Sequence, residues 1–150
     1  EEEKIQMETN LLLGKMKNGR RENAQIQVSA HANRVPVLDG HTMALSVKFR
    51  NKPSVEDAVY VLENFRGPAE VRQMPTAPER PILVRQEPDR PQPRRDRDSG
   101  NGMSISVGRI RPCNLLDLRM VSVVHNTVRG AAGGSVLNAE LLFAKGLISA

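Results

Sequence analysis

Apolar residues near the start of the chain recur at the spacing of a helical face. They are Ile5, Leu12, Leu13 and Met16. Gly14 and then Asn18-Gly19 supply residues that commonly end a helix. The pattern therefore predicts a helix from Glu1 to about Met16.

Two later stretches alternate between apolar and polar residues. The apolar positions are Ile26, Val28 and Ala30 in the first stretch, and Met43, Leu45, Val47 and Phe49 in the second. Alternation with a period of two is typical of a strand with one buried face. Asp39-Gly40 reads as a turn between the two strands. By the same parity, His41 is expected on the buried side of the second strand.

A helix is predicted after Pro53, where Ser54 and Asp57 have the spacing of a capping box. Apolar residues follow at helical spacing as far as Phe65. A last helix, rich in small residues at its start, is predicted over about residues 129–150.

The segment from Gly67 to Gly102 contains seven prolines, which favours an extended excursion with a short strand at 82–84. Beyond it, Ile105 and Val107 alternate with serines, and Leu118–Val124 is apolar on both faces, as expected of a central strand. The order of elements predicts an α+β fold, in which helices flank a mixed, mainly antiparallel sheet.

Composition narrows the class of protein. The 150 residues carry a net charge of +5 and are 39% hydrophobic, which suits one globular domain. Aromatic residues make up only 3%, and the densest charge run, residues 85–98, sums to only +1. Nucleic acids are bound by aromatic side chains that stack on the bases and by blocks of positive charge on the protein. Because this chain is poor in both, we expect no nucleic-acid partner.

One cysteine cannot form an internal disulfide. The most apolar stretch, near the C-terminus, is broken by Asn138, Glu140 and Lys145, so we expect no membrane span and a cytoplasmic location.

Few residues have the spacing of a reactive site. The three histidines and Cys113 are scattered, so no metal site is predicted, and Cys113 reads as a bystander. His41 follows the predicted turn, and Arg34 lies seven residues earlier. An imidazole moves protons near neutral pH, and a guanidinium grips a carboxylate. The pair could serve a small acidic substrate, or it could be a hydrogen-bonded core histidine and a surface arginine.

Three motifs point to a family. They are Lys4-Ile5-Gln6-Met7-Glu8-Thr9-Asn10, Arg34-Val35-Pro36-Val37-Leu38-Asp39-Gly40-His41-Thr42 and the segment from Val124 to Glu140, VHNTVRGAAGGSVLNAE. Together they resemble the C-terminal half of the aspartate-semialdehyde dehydrogenases. The run PDRPQPR at 88–94, followed by Gly100-Asn101-Gly102, is similar to the fungal and archaeal branch. The resemblance extends over nearly the whole chain.

The resemblance implies a fold similar to the C-terminal domain of glyceraldehyde-3-phosphate dehydrogenase and a set of site residues. The family reduces L-aspartyl 4-phosphate to L-aspartate 4-semialdehyde with NADPH, through a thioester on a cysteine, in lysine, threonine and methionine biosynthesis. The resemblance implies an acid/base role for His41 and recognition of the substrate carboxylate by Arg34. It also implies contacts of Glu1 with the substrate amino group, of Lys4 with phosphate, and of Asn126 with the nicotinamide.

The resemblance also implies that residues 1–150 are the catalytic and dimerisation domain of a longer enzyme. The family's nucleophile and NADP-binding domain belong upstream of Glu1, and Cys113 does not match the nucleophile's motif. His31 and Ala32 stand where many relatives have a hydroxyl residue and a cysteine. We therefore expect the chain alone to be inactive and to bind NADP weakly, to form a homodimer or homotetramer, and to pack its last helix on the upstream domain.

Two alternatives stay open at this stage. One is a naturally short, non-catalytic interaction or regulatory module with the same fold. The other is a basic nucleic-acid binder, which would bind DNA or RNA with a steep salt dependence.

Overall fold

The computed structural model describes residues 1–149 and divides into two compact units, Glu1–Pro36 and Val37–Ala150. In chain order the helices are α1 Glu2–Leu12, α2 Val55–Asn64, α3 Ala69–Arg72, α4 Pro93–Asp96 and α5 Gly133–Ala144. The strands are β1 Lys15–Lys17, β2 Arg20–Glu22, β3 His41–Val47, β4 Ile82–Arg85, β5 Ile105–Pro112 and β6 Leu118–Val124. None of the described helices is long and apolar enough to cross a membrane.

The first unit consists of α1, a β-hairpin and an extended segment. The helix ends at Leu12, four residues earlier than the sequence predicts, because β1 begins at Lys15. Asn18-Gly19 is the hairpin turn rather than a helix stop, and both residues have positive φ, 51° and 73°. Asn-Gly is the dipeptide that tight hairpins prefer, so this hairpin was readable from the sequence.

The strand predicted around residues 24–30 is not formed. Residues 23–35 contain no strand or helix in the structure. The segment is held to α1 by Asn10, whose amide donates to the carbonyl of Ile26 and whose Oδ1 accepts the Ile26 N–H, both at 2.9 Å. Alternation alone does not make a strand, because a strand also needs a neighbour to complete its ladder.

The second unit is built on a four-stranded sheet in the order β3-β6-β5-β4. The β3–β6 and β6–β5 pairs are antiparallel, and β5–β4 is parallel. The predicted α+β class with a mixed, mainly antiparallel sheet is confirmed. Leu118 and Val123 of β6 are almost fully buried, which confirms the central strand.

Helices and loops complete the second unit. Ser54 caps α2 with the predicted capping box: its hydroxyl accepts the Asp57 N–H, and the Asp57 carboxylate accepts the Ser54 N–H. The proline-rich excursion contains β4 as predicted, together with the short helices α3 and α4. A π-helical turn, Val128–Ala132, precedes α5.

Helix α5 is partly buried within its own unit. Leu137 is only 8% exposed. Leu142 and Phe143, five and six residues further on, are exposed. Glu140 anchors the helix to the excursion by accepting hydrogen bonds from the N–H and hydroxyl of Thr76, at 3.1 and 2.7 Å.

A buried ionic cluster fixes helix α4. Asp96 is fully buried and accepts two hydrogen bonds from the guanidinium of Arg90 and one from the Gln92 N–H. The Nε of Arg85, on β4, lies 2.8 Å from the same carboxylate. The cluster therefore joins α4 to the edge strand of the sheet.

Candidate functional site

His41 is the first residue of β3 and lies opposite Val124, the last residue of β6. Its side chain is exposed, contrary to the buried position expected from strand parity. The physical reason is that β3 is an edge strand whose residues are exposed on both faces as far as Ser46. The imidazole is thus accessible to a ligand.

Asn126 lies beside the turn that leads into His41. Its Oδ1 accepts the N–H of Gly40 at 2.8 Å, a contact between residues 86 positions apart. Since the amide oxygen is used in this way, the Nδ2 group remains available as a donor. The structure therefore brings His41 and Asn126 together, as two of the predicted site residues.

Gly40 itself is buried and tightly packed. Its φ is +109°, a conformation that residues with a Cβ rarely adopt. A Cβ at this position would lie 3.2 Å from Cβ of Pro93 and 3.5 Å from Cβ of Arg97. The turn before His41 is therefore held between Asn126 on one side and α4 on the other.

His125 is a neighbour that sequence reasoning left out. It is 8% exposed, with its Nδ1 3.2 Å from the Thr127 hydroxyl and 3.4 Å from the Val128 N–H. Its Nε2 lies 3.6 Å from an oxygen of Asp98. These contacts fix the backbone on either side of Asn126. The sequence signal that could have pointed to His125 is its position directly before Asn126.

The other predicted site residues belong to the first unit. Arg34 and Glu1 form an ion pair at 3.2 Å, although both side chains are largely exposed. Glu2, the next residue, accepts the Ala32 N–H at 2.7 Å and so ties α1 to the segment that carries Arg34. Lys4 does not join this pair, because it faces Glu8 at 3.6 Å.

Cys113 lies in the turn that follows β5. Hydrogen bonds from the backbone N–H groups of Leu116 and Leu115 hold the pKa of its thiol below the usual range, with Ser46 and Arg119 acting in the same direction. The turn joins the Pro112 and Leu118 ends of β5 and β6, whereas His41 pairs with the opposite end of β6. Six residues of strand separate these ends by about 20 Å. Cys113 is therefore no partner for His41.

The glycines at the start of α5 are explained by packing. A Cβ on Gly133 would lie 2.5 Å from the sulfur of Met103, and a Cβ on Gly134 would lie 2.7 Å from the carbonyl oxygen of Arg129. Gly130 has more room, with its nearest atom at 3.8 Å. Close approach by a bound cofactor is not needed to account for Gly133 and Gly134.

Over almost its full length, the chain is similar to curated aspartate-semialdehyde dehydrogenases. It is 52% identical to the aspartate-semialdehyde dehydrogenase of Archaeoglobus fulgidus and 45% identical to that of Candida albicans, each over 99% of this chain and 42% of the relative. It thus spans about two fifths of the length of these curated relatives, in their C-terminal part.

The solved structures that the chain resembles are also aspartate-semialdehyde dehydrogenases. A crystal structure of the Candida albicans aspartate-semialdehyde dehydrogenase with NADP superposes on 98% of this chain and 43% of its own, with a TM-score of 0.88 and 45% identity. The Vibrio cholerae aspartate-semialdehyde dehydrogenase II matches 74% of the chain with a TM-score of 0.57 and 28% identity.

The family comparison covers most of the chain. Residues 1–129 match the model of the semialdehyde dehydrogenase dimerisation domain. The chain therefore belongs to the semialdehyde dehydrogenase family and carries its dimerisation domain.

Proposed function

We propose that the chain is the substrate-binding and dimerisation part of an aspartate-semialdehyde dehydrogenase that reduces L-aspartyl 4-phosphate with NADPH. The observation that carries the proposal is the start of β3, where the exposed imidazole of His41 lies beside the anchored amide of Asn126. The family membership supplies the reaction class, and these two side chains supply the chemistry that it needs from this part of the enzyme.

The ion pair in the first unit suits the head of an α-amino acid. Such a substrate carries a carboxylate and an ammonium group on one carbon, so it needs a cation and an anion side by side. Arg34 and Glu1 provide this pair at 3.2 Å. Because an exposed ion pair contributes only about 0–1 kcal/mol, a substrate can open it at small cost and take over both charges. Lys4 is proposed as the phosphate contact, in which case its nitrogen leaves Glu8.

His41 is proposed as the acid and base of the reaction. The side chain takes the proton of the attacking thiol and returns a proton at the substrate's reacting oxygen. Both steps need an imidazole that the thiol and the substrate can reach. The side chain of His41 is exposed at the start of its strand and meets this need. We propose, on the family resemblance, that the thiol belongs to a segment preceding this chain. Cys113 lies at the other end of the sheet from His41.

The residues at Asn126 fit a nicotinamide. NADPH supplies the hydride when it is bound. Asn126 is held through its oxygen by Gly40, so its Nδ2 can donate to the carboxamide oxygen of the cofactor. We propose that the rest of NADP binds a preceding nucleotide-binding domain, so that this chain alone binds it weakly.

The remaining expectations stay proposals. A homodimer or homotetramer is proposed because the chain carries a dimerisation domain. The cytoplasmic location and the packing of residues 129–150 on another domain are proposed on the resemblance alone.

Two substitutions of Asn126 separate its two proposed roles. They are tested in a fusion of this chain to the part of the Archaeoglobus fulgidus relative that precedes the matched region, called the fusion enzyme below. Asn126→Asp keeps the oxygen that accepts the Gly40 N–H but loses the amide donor, so we expect the KM for NADPH to rise about tenfold while kcat changes little. Asn126→Ala also leaves the Gly40 N–H without a partner, so we expect kcat to fall about tenfold as well.

Steady-state kinetics with varied NADPH make the measurement. Asn51→Ala, at an exposed asparagine in the loop between β3 and α2, serves as the control and should leave both constants near those of the unsubstituted enzyme. Equal effects of the two Asn126 variants on both constants would contradict the separate roles, and an unchanged KM in both would remove the nicotinamide contact.

A further inference from the structure

Three arginines meet where β5 turns into β6. Arg111 lies directly opposite Arg119 in the antiparallel register, and Arg109 precedes it in an irregular stretch of β5 between Gly108 and Arg111. This end of the sheet is the one opposite to His41, because Val47 pairs with Leu118 while His41 pairs with Val124. The proposed reaction therefore does not explain why three arginines lie together here.

The arrangement is electrostatically unfavourable as it stands. Like charges directly opposite one another destabilise an antiparallel pair. Burial lowers the pKa of the Arg111 guanidinium below its usual range, and the charges of Arg119 and Arg109 lower it further. The guanidiniums of Arg119 and Arg109 thus lie close enough to that of Arg111 to repel it.

The backbone is strained at the same place. Arg109 has φ of +55°, which is uncommon for a residue with a side chain. Irregularities of this kind re-aim a side chain, and strained backbone concentrates at ligand sites. The guanidinium of Arg111 donates to the carbonyl of Arg109, which ties the two residues together.

The described residues do not compensate these charges. The arginines of the α4 cluster share the buried carboxylate of Asp96. In contrast, none of Arg109, Arg111 and Arg119 forms an ion pair with a carboxylate within residues 1–149. Three positive charges are held together with no counter-charge from this part of the chain.

We propose that Arg109, Arg111 and Arg119 form a binding site for a tetrahedral oxyanion of the phosphate class. A guanidinium binds a phosphate through two parallel hydrogen bonds, and a tetrahedral dianion offers enough oxygens for several such forks. Binding a dianion would offset two of the three charges and relieve the repulsion across the strands. A single carboxylate has only two oxygens and one charge, so it fits three guanidiniums less well.

The test uses inorganic phosphate and this chain, with ionic strength held constant by sodium chloride. Thermal unfolding is followed by circular dichroism and binding by calorimetry. We expect phosphate to raise the Tm of the unsubstituted chain to a plateau. Arg119→Gln should have the higher Tm without phosphate, because the repulsion is relieved, and should bind phosphate about tenfold or more weakly.

Two further variants complete the design. Arg111→Gln should behave like Arg119→Gln, and Arg72→Gln, at an exposed arginine of α3, should behave like the unsubstituted chain. Sulfate should replace phosphate, whereas acetate should not. An equal rise in Tm for all the chains would overturn the proposal. So would an Arg119→Gln chain that loses self-association while no chain binds phosphate, since the arginines would then face carboxylates of a second copy.

Discussion

Replacing His41 with alanine in the fusion enzyme lowers kcat by about 10²–10⁴-fold, the contribution typical of a positioned acid or base. The KM for aspartate semialdehyde should change little, because Arg34 and Glu1 are proposed to hold the substrate head. Steady-state kinetics in the phosphate-dependent oxidation of aspartate semialdehyde provide the measurement. His41 is exposed and has no side-chain hydrogen bond within the described residues, so the loss should not come from unfolding.

His31→Ala is the matched control for this prediction. His31 is also an exposed histidine, in the segment before Arg34, and has no proposed role. It should keep kcat within about twofold, as surface substitutions usually cost less than about 0.5 kcal/mol. An unchanged kcat in His41→Ala would remove the acid and base role, and an equal loss in His31→Ala would show that the assay reports folding.

Replacing Asp96 with asparagine should destabilise this chain by about 3–5 kcal/mol, the usual cost of removing one partner from a buried ion pair. The carboxylate is fully buried and serves Arg90, Arg85 and the Gln92 N–H. An asparagine of the same shape leaves Arg85 without a counter-charge and leaves Arg90 with only the more distant carboxylate of Glu87, at 3.7 Å. Because a domain is typically stable by only about 5–15 kcal/mol, this loss is large. Urea unfolding at pH 7 measures it.

The effect should also depend on pH in one direction. Burial alone would raise the pKa of Asp96, but its hydrogen bonds to Arg90 and Gln92 and the nearby guanidiniums hold that pKa below the usual value. A carboxyl with a lowered folded pKa contributes stability above its unfolded pKa, near 3.8. That contribution is lost as the pH falls from about 4 through the folded pKa.

The difference between the Asp96→Asn chain and the unsubstituted chain should therefore shrink below about pH 4. Asp89→Asn is the control, because the exposed Asp89 carboxylate forms an ion pair with Arg95 and accepts a hydrogen bond from Gln92 Nε2, and its substitution should cost about 1 kcal/mol or less. A cost as small for Asp96→Asn, or a difference that grows in acid, would contradict the account of the cluster.

Local patterns in the sequence predicted most of the fold. The capping box at Ser54 and Asp57, the short strand β4 and the apolar run of β6 each depend on neighbouring residues, and each is found. The strand predicted near Ile26 failed because its alternation has no partner strand within the described residues. Pairing is a long-range property that periodicity does not carry.

The candidate site shows the same division. Motif resemblance predicted His41 and Asn126 as candidate site residues, and the structure places them together through Gly40. It did not show that His41 is exposed, because exposure depends on β3 being an edge strand. The supports also escaped it: His125, Pro93 and Asp96 act through contacts that only the folded chain creates. Glu1 and Arg34 are paired, but their roles toward a substrate remain predictions.

The most direct test of the account compares this chain with the fusion enzyme in the NADP-dependent oxidation of aspartate semialdehyde in the presence of phosphate. We predict no turnover by the chain alone and saturable turnover by the fusion enzyme. The reason is the proposed division, in which the chain supplies the substrate and proton-transfer residues and the preceding part supplies the thiol and most of the NADP contacts. Turnover by the chain alone, or a folded fusion enzyme with none, would contradict the proposed function.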